Sequence, residues 1–406
     1  MTKTRTRVLK KGLWTLRTAG PRTVARKAAK LAYVRLGDGS PELSIHPDDI
    51  ADSARPVLPV PTQGPPRNSK FTVGWICTPP ALGSGGHTTM FRMIRALEDA
   101  GHTCIVYLYD RHGGQLSTHT AIIREGWPQV HAEVRHVGSG LAGLDACVAT
   151  SWESAHVLAT HGRQPMRRLY FVQDYEPYFH PRGSEYALAE DSYRLGFRCI
   201  ALGEMVANSL VKEVGIHTDV TQFGCDTAVY RVDQTSHSAR SGVVFYARPG
   251  NPRRGYWLAR LALRDFHQRH PEVPIYVYGA DARDLPFDAK VYPRLTPMEL
   301  NSLYNRCVAG LALSFTNISL VAEELLSAGA IPVVNDSPEA RADLQNPYVA
   351  WARPTPAGIA EALTAVVTTP GIDARANSAS RSVRDGWGRA ERDVVRIVEE
   401  EVYGSQ

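Results

Sequence analysis

The stretch Leu311–Asn335, "LALSFTNISLVAEELLSAGAIPVVN", holds one complete structural unit. An apolar run at 311–315 reads as a strand, and polar residues follow it. A short helix is predicted over 318–328, Gly329 ends it, and "IPVVN" (331–335) is a second apolar run. Strands that alternate with helices in this way lie parallel, in a sheet covered on both faces.

The alternation continues in both directions. Upstream stand "GVVFYAR" (242–248), a helix over 254–269, "PIYVYGA" (274–280) and a helix over 297–306; downstream a helix is predicted over 356–367. An earlier series holds the apolar runs "FTVGWIC" (71–77), "TCIVYLY" (103–109), "DACVAT" (145–150), "RRLYFVQ" (167–173) and "RCIAL" (198–202). Its helices are predicted over 87–100, 154–161, 184–195 and 204–214. Two such series in 406 residues imply two Rossmann-like α/β domains. The expected boundaries are 1–69 for a basic extension and proline-rich linker, 70–230 for the first domain and 241–378 for the second, with a hinge near 226–241. The segment 379–406 is expected to pack back on the first domain through a helix over 381–404.

Composition narrows the class. A hydrophobic fraction of 43% with 21% charged residues is that of a soluble globular protein. There is no long apolar run to cross a membrane and no secretory signal pattern, so a cytoplasmic protein is expected. The six cysteines are widely spaced, and several sit in strand-like runs, as small buried thiols in a reducing compartment do. Charge is uneven. Residues 1–36 carry eleven cations and no acid, so the chain's net +5 leaves −6 for the rest. Such an arm suits an anionic membrane surface, which would place the protein on the inner face of the cell membrane; docking on the chain's own acidic body is the plainer use of it. No nucleic-acid module follows the arm, so a nucleic-acid partner is not expected.

Ligands in these folds bind at the carboxyl ends of the strands, and a cleft between facing domains is the natural site. Three strand ends carry chemistry. After Cys77, "GSGGH" (83–87) leads into a helix; Gly85, Gly86 and His87 would let a backbone and a helix N-terminus meet a phosphate. After "GVVFYA", Arg248, Arg253 and Arg254 surround the next helix start, where cations oppose the helix dipole; two guanidiniums there could clamp a diphosphate and stabilise it on departure. After "RRLYFV", the loop "QDYEPYFHPR" offers Asp174, Tyr175, Glu176, His180 and Arg182 to a hydroxyl-rich ligand, and Trp152 and Glu153 stand at a neighbouring strand end. The motifs DxD, HExxH, GxSxG and GxxxxGK[ST] are absent, so neither a metal site nor a bound cofactor is expected.

Over residues 70–400 these features resemble the retaining glycosyltransferases of family 4, whose GT-B fold sets two Rossmann-like domains face to face. "GSGGH" resembles the family's glycine loop, "ARPGNPRRG" its strand-end Arg with a following Lys-Gly, and "GCDTAVY" (224–230) its interdomain GVDxxxF. "TNISLVAEELLSAGAIPVV" resembles its E-x7-E segment, with Thr316 at the first glutamate and Glu324 at the second. The loop wording is most similar to the bacterial rhamnosyltransferase branch.

The resemblance implies a metal-independent, retaining transferase that moves a sugar, L-rhamnose from dTDP-L-rhamnose, to a surface polysaccharide or lipid-linked glycan. It implies catalytic roles for Arg248, Arg254, Asp174 and Glu176. Donor contacts fall on Gly85, Gly86, His87, Arg253, Thr316, Asn317, Ile318, Ser319 and Glu324, the last holding the ribose hydroxyls. Acceptor contacts fall on Trp152, Glu153, Tyr175 and His180. Two other readings compete: a GT-B nucleotide-sugar epimerase, which needs no acceptor, and a non-catalytic glycan-binding scaffold, which the Thr316 exchange would suit.

Overall fold

A computed structural model describes residues 43–55, 58–234, 239–280, 284–383 and 386–404. The basic arm, 1–36, lies outside the described residues.

The first sheet has seven parallel strands in the order β3-β2-β1-β4-β5-β6-β7. They are β1 Thr72–Cys77, β2 Thr103–Leu108, β3 Glu133–His136, β4 Ala146–Ala149, β5 Arg167–Val172, β6 Arg198–Leu202 and β7 Asp219–Thr221. Trp75 of β1 pairs with Val106 on one side and Val148 on the other. The interior strands are buried on both faces, so they carry continuous apolar sequence instead of alternation. Three helices on this sheet bear on the site: α1 (Gly85–Asp99), α2 (Trp152–His161) and α3 (Glu204–Ser209). Ser84 caps α1 and Ser151 caps α2 by accepting from backbone N–H groups of the first turn.

The second sheet repeats the plan with six parallel strands in the order β10-β9-β8-β11-β12-β13. They are β8 Val243–Tyr246, β9 Ile275–Tyr278, β10 Lys290–Tyr292, β11 Ala309–Leu311, β12 Ile331–Asn335 and β13 Ala350–Ala352. The helices that matter here are α4 (Tyr256–Arg269), α5 (Leu320–Ser327) and α6 (Pro338–Asp343). The run read as a strand over 311–315 is shifted: β11 stops at Leu311. Beyond it the chain stays attached to β12, Ala312 N donating to Val333 O at 3.0 Å and Ser314 N to Asn335 Oδ1 at 2.8 Å.

The final helix differs from expectation. One helix ends at Arg381 and the last, α7, runs Gly388–Tyr403; the glycines of "GWG" (386–388) interrupt the predicted span. Ala390, Val394, Ile397, Val398 and Val402 of α7 join the hydrophobic core of the first sheet, with Phe71, Ile94 and Leu202. Burying a Val or Ile gains about 1.5–3 kcal/mol. The ion pairs that flank the seam, Arg198–Glu400 at 3.0 Å and Arg92–Glu391 at 3.7 Å, are partly exposed; such pairs give about 0–1 kcal/mol each. Apolar packing therefore holds this helix. The proline-rich segment is a strap beside it: Tyr403 Oη donates to Ser69 O at 2.7 Å and Arg67 Nη2 to Gly404 O at 3.3 Å.

Candidate functional site

The carboxyl ends of β1 and β5 meet those of β8 and β11. Gln173, just past β5, donates from Nε2 to Gly86 O at 3.1 Å, and its own carbonyl accepts from Asn317 Nδ2 at 3.3 Å. The next residue, Asp174, is buried. Its Oδ2 accepts from Asn317 Nδ2 at 2.9 Å and from Arg253 Nη1. Asn317 Oδ1 accepts from Ser314 Oγ at 3.1 Å, and Ser314 Oγ accepts from Arg254 Nη1 at 2.8 Å. One hydrogen-bonded network thus runs from the glycine loop of the first sheet to both arginines of the second.

Local structure fixes the arginines. Gly255 has φ 62°, and a Cβ there would stand 3.0 Å from Phe315 Cε2; only glycine turns the chain into α4 at this point without strain. The turn leaves Arg253 and Arg254 facing the network. Phe315 N donates to Arg253 O at 3.1 Å, so the β8 and β11 loops are tied together. The Arg253 guanidinium also lies over the Phe179 ring, 4.2 Å from its centroid. Arg248 is exposed and held by Tyr246, whose Oη accepts from its Nε at 2.6 Å.

Burial raises the Asp174 pKa, while Arg253, the Thr316 hydroxyl and Arg254 pull it back down. Burial lowers the Arg254 pKa and the neighbouring Arg253 charge adds to the shift. His87 closes the glycine loop, its Nδ1 2.8 Å from Ser84 Oγ and its Nε2 3.2 Å from Thr78 O. Burial lowers its pKa, against the Thr78 carbonyl, which favours the charged ring.

Thr316, Asn317, Ile318 and Ser319 are all buried and lead into α5. Ser319 caps α5 through no side-chain bond, so the first-turn N–H groups keep their positive end. Further along α5, Glu324 Oε2 accepts from Tyr304 Oη at 3.4 Å, and Tyr304 is held by Tyr278, the two hydroxyls 2.6 Å apart. Burial pushes the Glu324 pKa up to about 7; the Tyr304 hydroxyl opposes the rise and the Asp226 charge adds to it.

The structure treats the expected acceptor residues differently. Trp152 is 2% exposed and Tyr175 fully buried, so both rings pack in the interior instead of lining the cleft. Tyr175 stacks on Tyr193 at 5.6 Å and Trp152 meets His180 edge-on at 5.9 Å. Bulky aromatic rings bury where neighbouring side chains close over them; His156 and His180 meet Trp152, while Tyr178, Tyr193 and Glu190 enclose Tyr175. His180 pairs with Glu185 at 3.5 Å, and Glu153 is half-buried in the first turn of α2. Glu176 Oε2 accepts from Trp152 N and from Tyr170 Oη at 3.3 Å. It thus caps the N-terminus of α2, a positioning role. Burial raises its pKa well above the usual carboxylate range, and the Glu153 charge adds to the rise.

Gln173, Ser314, Asn335 and Asp343 complete the arrangement and were not singled out in the sequence. Gln173 had a signal, as the neighbour of Asp174 at a strand end. Asp343 had none: it sits at the end of α6, where its Oδ1 accepts from Glu204 N and its Oδ2 from Met205 N at 3.1 Å, at the start of α3 on the other half. Gly203 makes room for it. With φ 91°, a Cβ at that position would lie 2.6 Å from Asp343 Oδ2.

With this geometry in view, comparison with known proteins fixes the fold. The domain family described as "WsaF, N-terminal domain" matches residues 142–205, and "WsaF, C-terminal domain" matches 241–364. The O-antigen biosynthesis protein RfbC of Myxococcus xanthus is 32% identical over 272 residues, 64% of this chain; the chain spans 21% of that relative's length. A mutant of S. aureus TarM, solved with fondaparinux, α-GlcNAc-glycerol and UDP, superposes with a TM-score of 0.61 at 7% identity, over 82% of this chain and 100% of the other. The putative UDP-N-acetylglucosamine 2-epimerase of Listeria monocytogenes gives 0.52 at 12% identity, over 82% and 96%. The fold is GT-B, two Rossmann-like domains facing across a cleft. Among the described residues, no helix is long and apolar enough to cross a membrane, and no group of three or more His, Cys, Asp or Glu could hold a metal ion.

Proposed function

We propose that the protein is a glycosyltransferase of cell-surface polysaccharide synthesis that takes its sugar from a nucleoside diphosphate. The observation that carries this is the pair Arg253 and Arg254 beside the uncapped N-terminus of α5, facing the Asp174 carboxylate. Guanidiniums and helix-end amides suit a diphosphate, bound and departing. The names of the relatives, O-antigen biosynthesis and WsaF, support the polysaccharide context.

The finer reading rests on the loop wording "VQDYEPYFHPRGSEY" and "FYARPGNPRRG". It takes dTDP-L-rhamnose as donor and retention at the anomeric carbon. The bond from C1 to the diphosphate oxygen breaks, the acceptor oxygen bonds to C1 from the same face, and the acceptor proton passes to the departing diphosphate. The chain's part is positioning and charge stabilisation. Glu324 would accept the ribose hydroxyls. The eleven cations of residues 1–36 would hold the enzyme against an anionic membrane that carries a lipid-linked acceptor.

The test is a thermal-shift screen with dTDP-, UDP- and GDP-sugars, then transfer to a lipid-linked glycan followed by mass spectrometry. Transfer from dTDP-L-rhamnose is expected. Conversion of the sugar nucleotide without an acceptor would identify an epimerase, and no binding to any donor would leave a scaffold.

A further inference from the structure

A cavity of about 480 Å³ opens at the carboxyl ends of β12 and β13. Asp336, Ser337, Pro338 and Arg341 line it from the β12 loop and α6, and Arg353 and Pro354 from the loop after β13. Small-molecule sites run from about 300 to 1,000 Å³ and favour the boundary between domains. This cavity stands at one. α6 forms part of its wall and, through Asp343, also holds the start of α3 on the first domain. On another side it adjoins the network around Asp174. Asn335, the residue before Asp336, accepts from Ser314 N at 2.8 Å, and Ser314 Oγ accepts from Arg254 Nη1.

The lining sets donors and acceptors side by side. Asp336 takes a forked bond from Arg341, 2.6 Å from Nε to Oδ1 and 3.0 Å from Nη2 to Oδ2. The same guanidinium lies over the Trp351 ring, 4.6 Å from its centroid, and is held from two directions. Each Asp336 oxygen keeps a lone pair for a further donor. Ser337 Oγ accepts from Ala340 N at 3.0 Å and keeps its proton to donate. Pro338 and Pro354 add apolar wall. A sugar ring matches this set, since its hydroxyls both donate and accept around a C–H framework. The lining residues include no aromatic ring on which a base would stack.

Charge narrows the ligand further. The lining carries two guanidiniums against one carboxylate, and Arg341 is engaged with Asp336. Arg353 is exposed, and its guanidinium has no hydrogen-bond or ion-pair partner among the described residues. A free guanidinium fork suits a carboxylate or a phosphate.

We propose that this cavity is the acceptor subsite and receives an acidic sugar of the acceptor glycan. Arg353 takes the sugar's carboxylate or phosphate, and the Asp336–Arg341 pair takes its hydroxyls. This rests on the glycosyltransferase reading and deepens it. The position suits an acceptor: Arg253, Arg254 and the α5 N-terminus would serve the donor diphosphate from the β8 and β11 loops, and β12 is the next strand, on the side of β11 away from β8. The cavity also supplies what Trp152 and Tyr175, turned into the interior, do not.

The experiment is calorimetry on the full chain with methyl α-D-glucuronide, glucose 6-phosphate and the uncharged methyl α-D-glucoside, with dTDP, UDP and GDP titrated into the same preparation. At least one of the two acids should bind about tenfold more tightly than the glucoside, the size of one charge-assisted hydrogen bond; the tighter acid identifies the group. Arg353→Ala should weaken that acid about tenfold and leave nucleotide affinity within about twofold. In transfer to an oligosaccharide that carries the same acid, the variant should raise the acceptor KM about tenfold with kcat within about twofold. A thermal melt shows that the variant is folded.

A glucoside that binds as tightly as both acids, an Arg353→Ala variant that binds the acid as wild type does, or a fall in kcat at unchanged KM would each overturn the subsite. Nucleotide binding with no binding of either acid removes the subsite alone. If wild type binds none of the nucleotides, the glycosyltransferase reading falls and takes the acceptor role with it.

Discussion

Asp343 and Asp174 each carry a carboxylate across the cleft, in opposite directions. Asp343 reaches from the second domain to the N-terminus of α3 on the first, and both of its oxygens accept backbone N–H groups. Asp174 reaches from the first domain to Arg253 and Asn317 on the second, and one of its oxygens is left with no partner. Burial raises the pKa of both, that of Asp343 to about 6. On the proposed reading, the difference separates a clasp from a site. A contact that only holds two domains together can satisfy every atom it buries. A contact that must also receive a ligand keeps something unsatisfied, and the surrounding structure bears the cost.

The comparison can be broken from the Asp174 side first. Arg254→Ala removes a guanidinium that nothing else in the network replaces, and turnover should fall by about 10²–10³. Donor consumption checks this, with a thermal melt alongside to show that the fold survives; full activity would remove Arg254 from the chemistry.

Arg253→Ala leaves the buried Asp174 carboxylate without its cation, and Asp174→Ala leaves the partly exposed Arg253 without its anion. Each should cost about 10–100-fold in turnover, and the double variant should do no worse than the weaker single. A double-mutant cycle on initial rates reads the coupling. Simple additivity would mean that the two side chains act separately.

Glu324 supplies a pH test. Burial raises its pKa to about 7, above the ordinary carboxylate value, and on the proposed reading the ionised form would accept two ribose hydroxyls. Donor affinity should then weaken about tenfold as pH falls from 8 to 6, because protonation competes with binding. Glu324→Gln should flatten that profile. The stability sign runs the other way. A carboxyl whose folded pKa is raised costs the folded state most above that pKa, so Glu324→Gln should melt higher than wild type at pH 8. A variant that keeps the wild-type profile would clear Glu324 of the ribose role.

Asp343→Ala sharpens the contrast with the smallest effect. Loss of a helix cap should lower stability by about 1 kcal/mol, seen as a shift in the urea midpoint. The ratio of sugar-nucleotide to nucleotide affinity should stay at the wild-type value. A changed ratio would show that the clasp and the site are not separable.

The sequence made the centre of each sheet legible and left its margins dark. Every interior strand but β11, which ends where the predicted run begins, matches an apolar run, because a strand buried on both faces has to be apolar throughout. The four missed strands, β3, β7, β10 and β13, are the edges of the two sheets, three or four residues long. "EVRH" and "KVY" carry charges that keep an edge from pairing further, and that same property hides them from a search for apolar runs.

The same division holds in the cleft. Residue types at strand ends, Arg253, Arg254, Asp174 and the polar run Thr316–Ser319, were visible because topology sends every strand end of a parallel sheet to one side. What lay outside the sequence was partnership. That Asp174 meets Arg253, 79 residues away, and that Asp343 meets Glu204, 139 residues away, depends on how two separate cores face each other. That Trp152 and Tyr175 turn inward depends on His180, Tyr193 and Glu190, which come from later in the chain. Local patterns encode what each segment must bury against its own sheet; contacts between two cores leave no periodic trace, and only the assembled structure decides them.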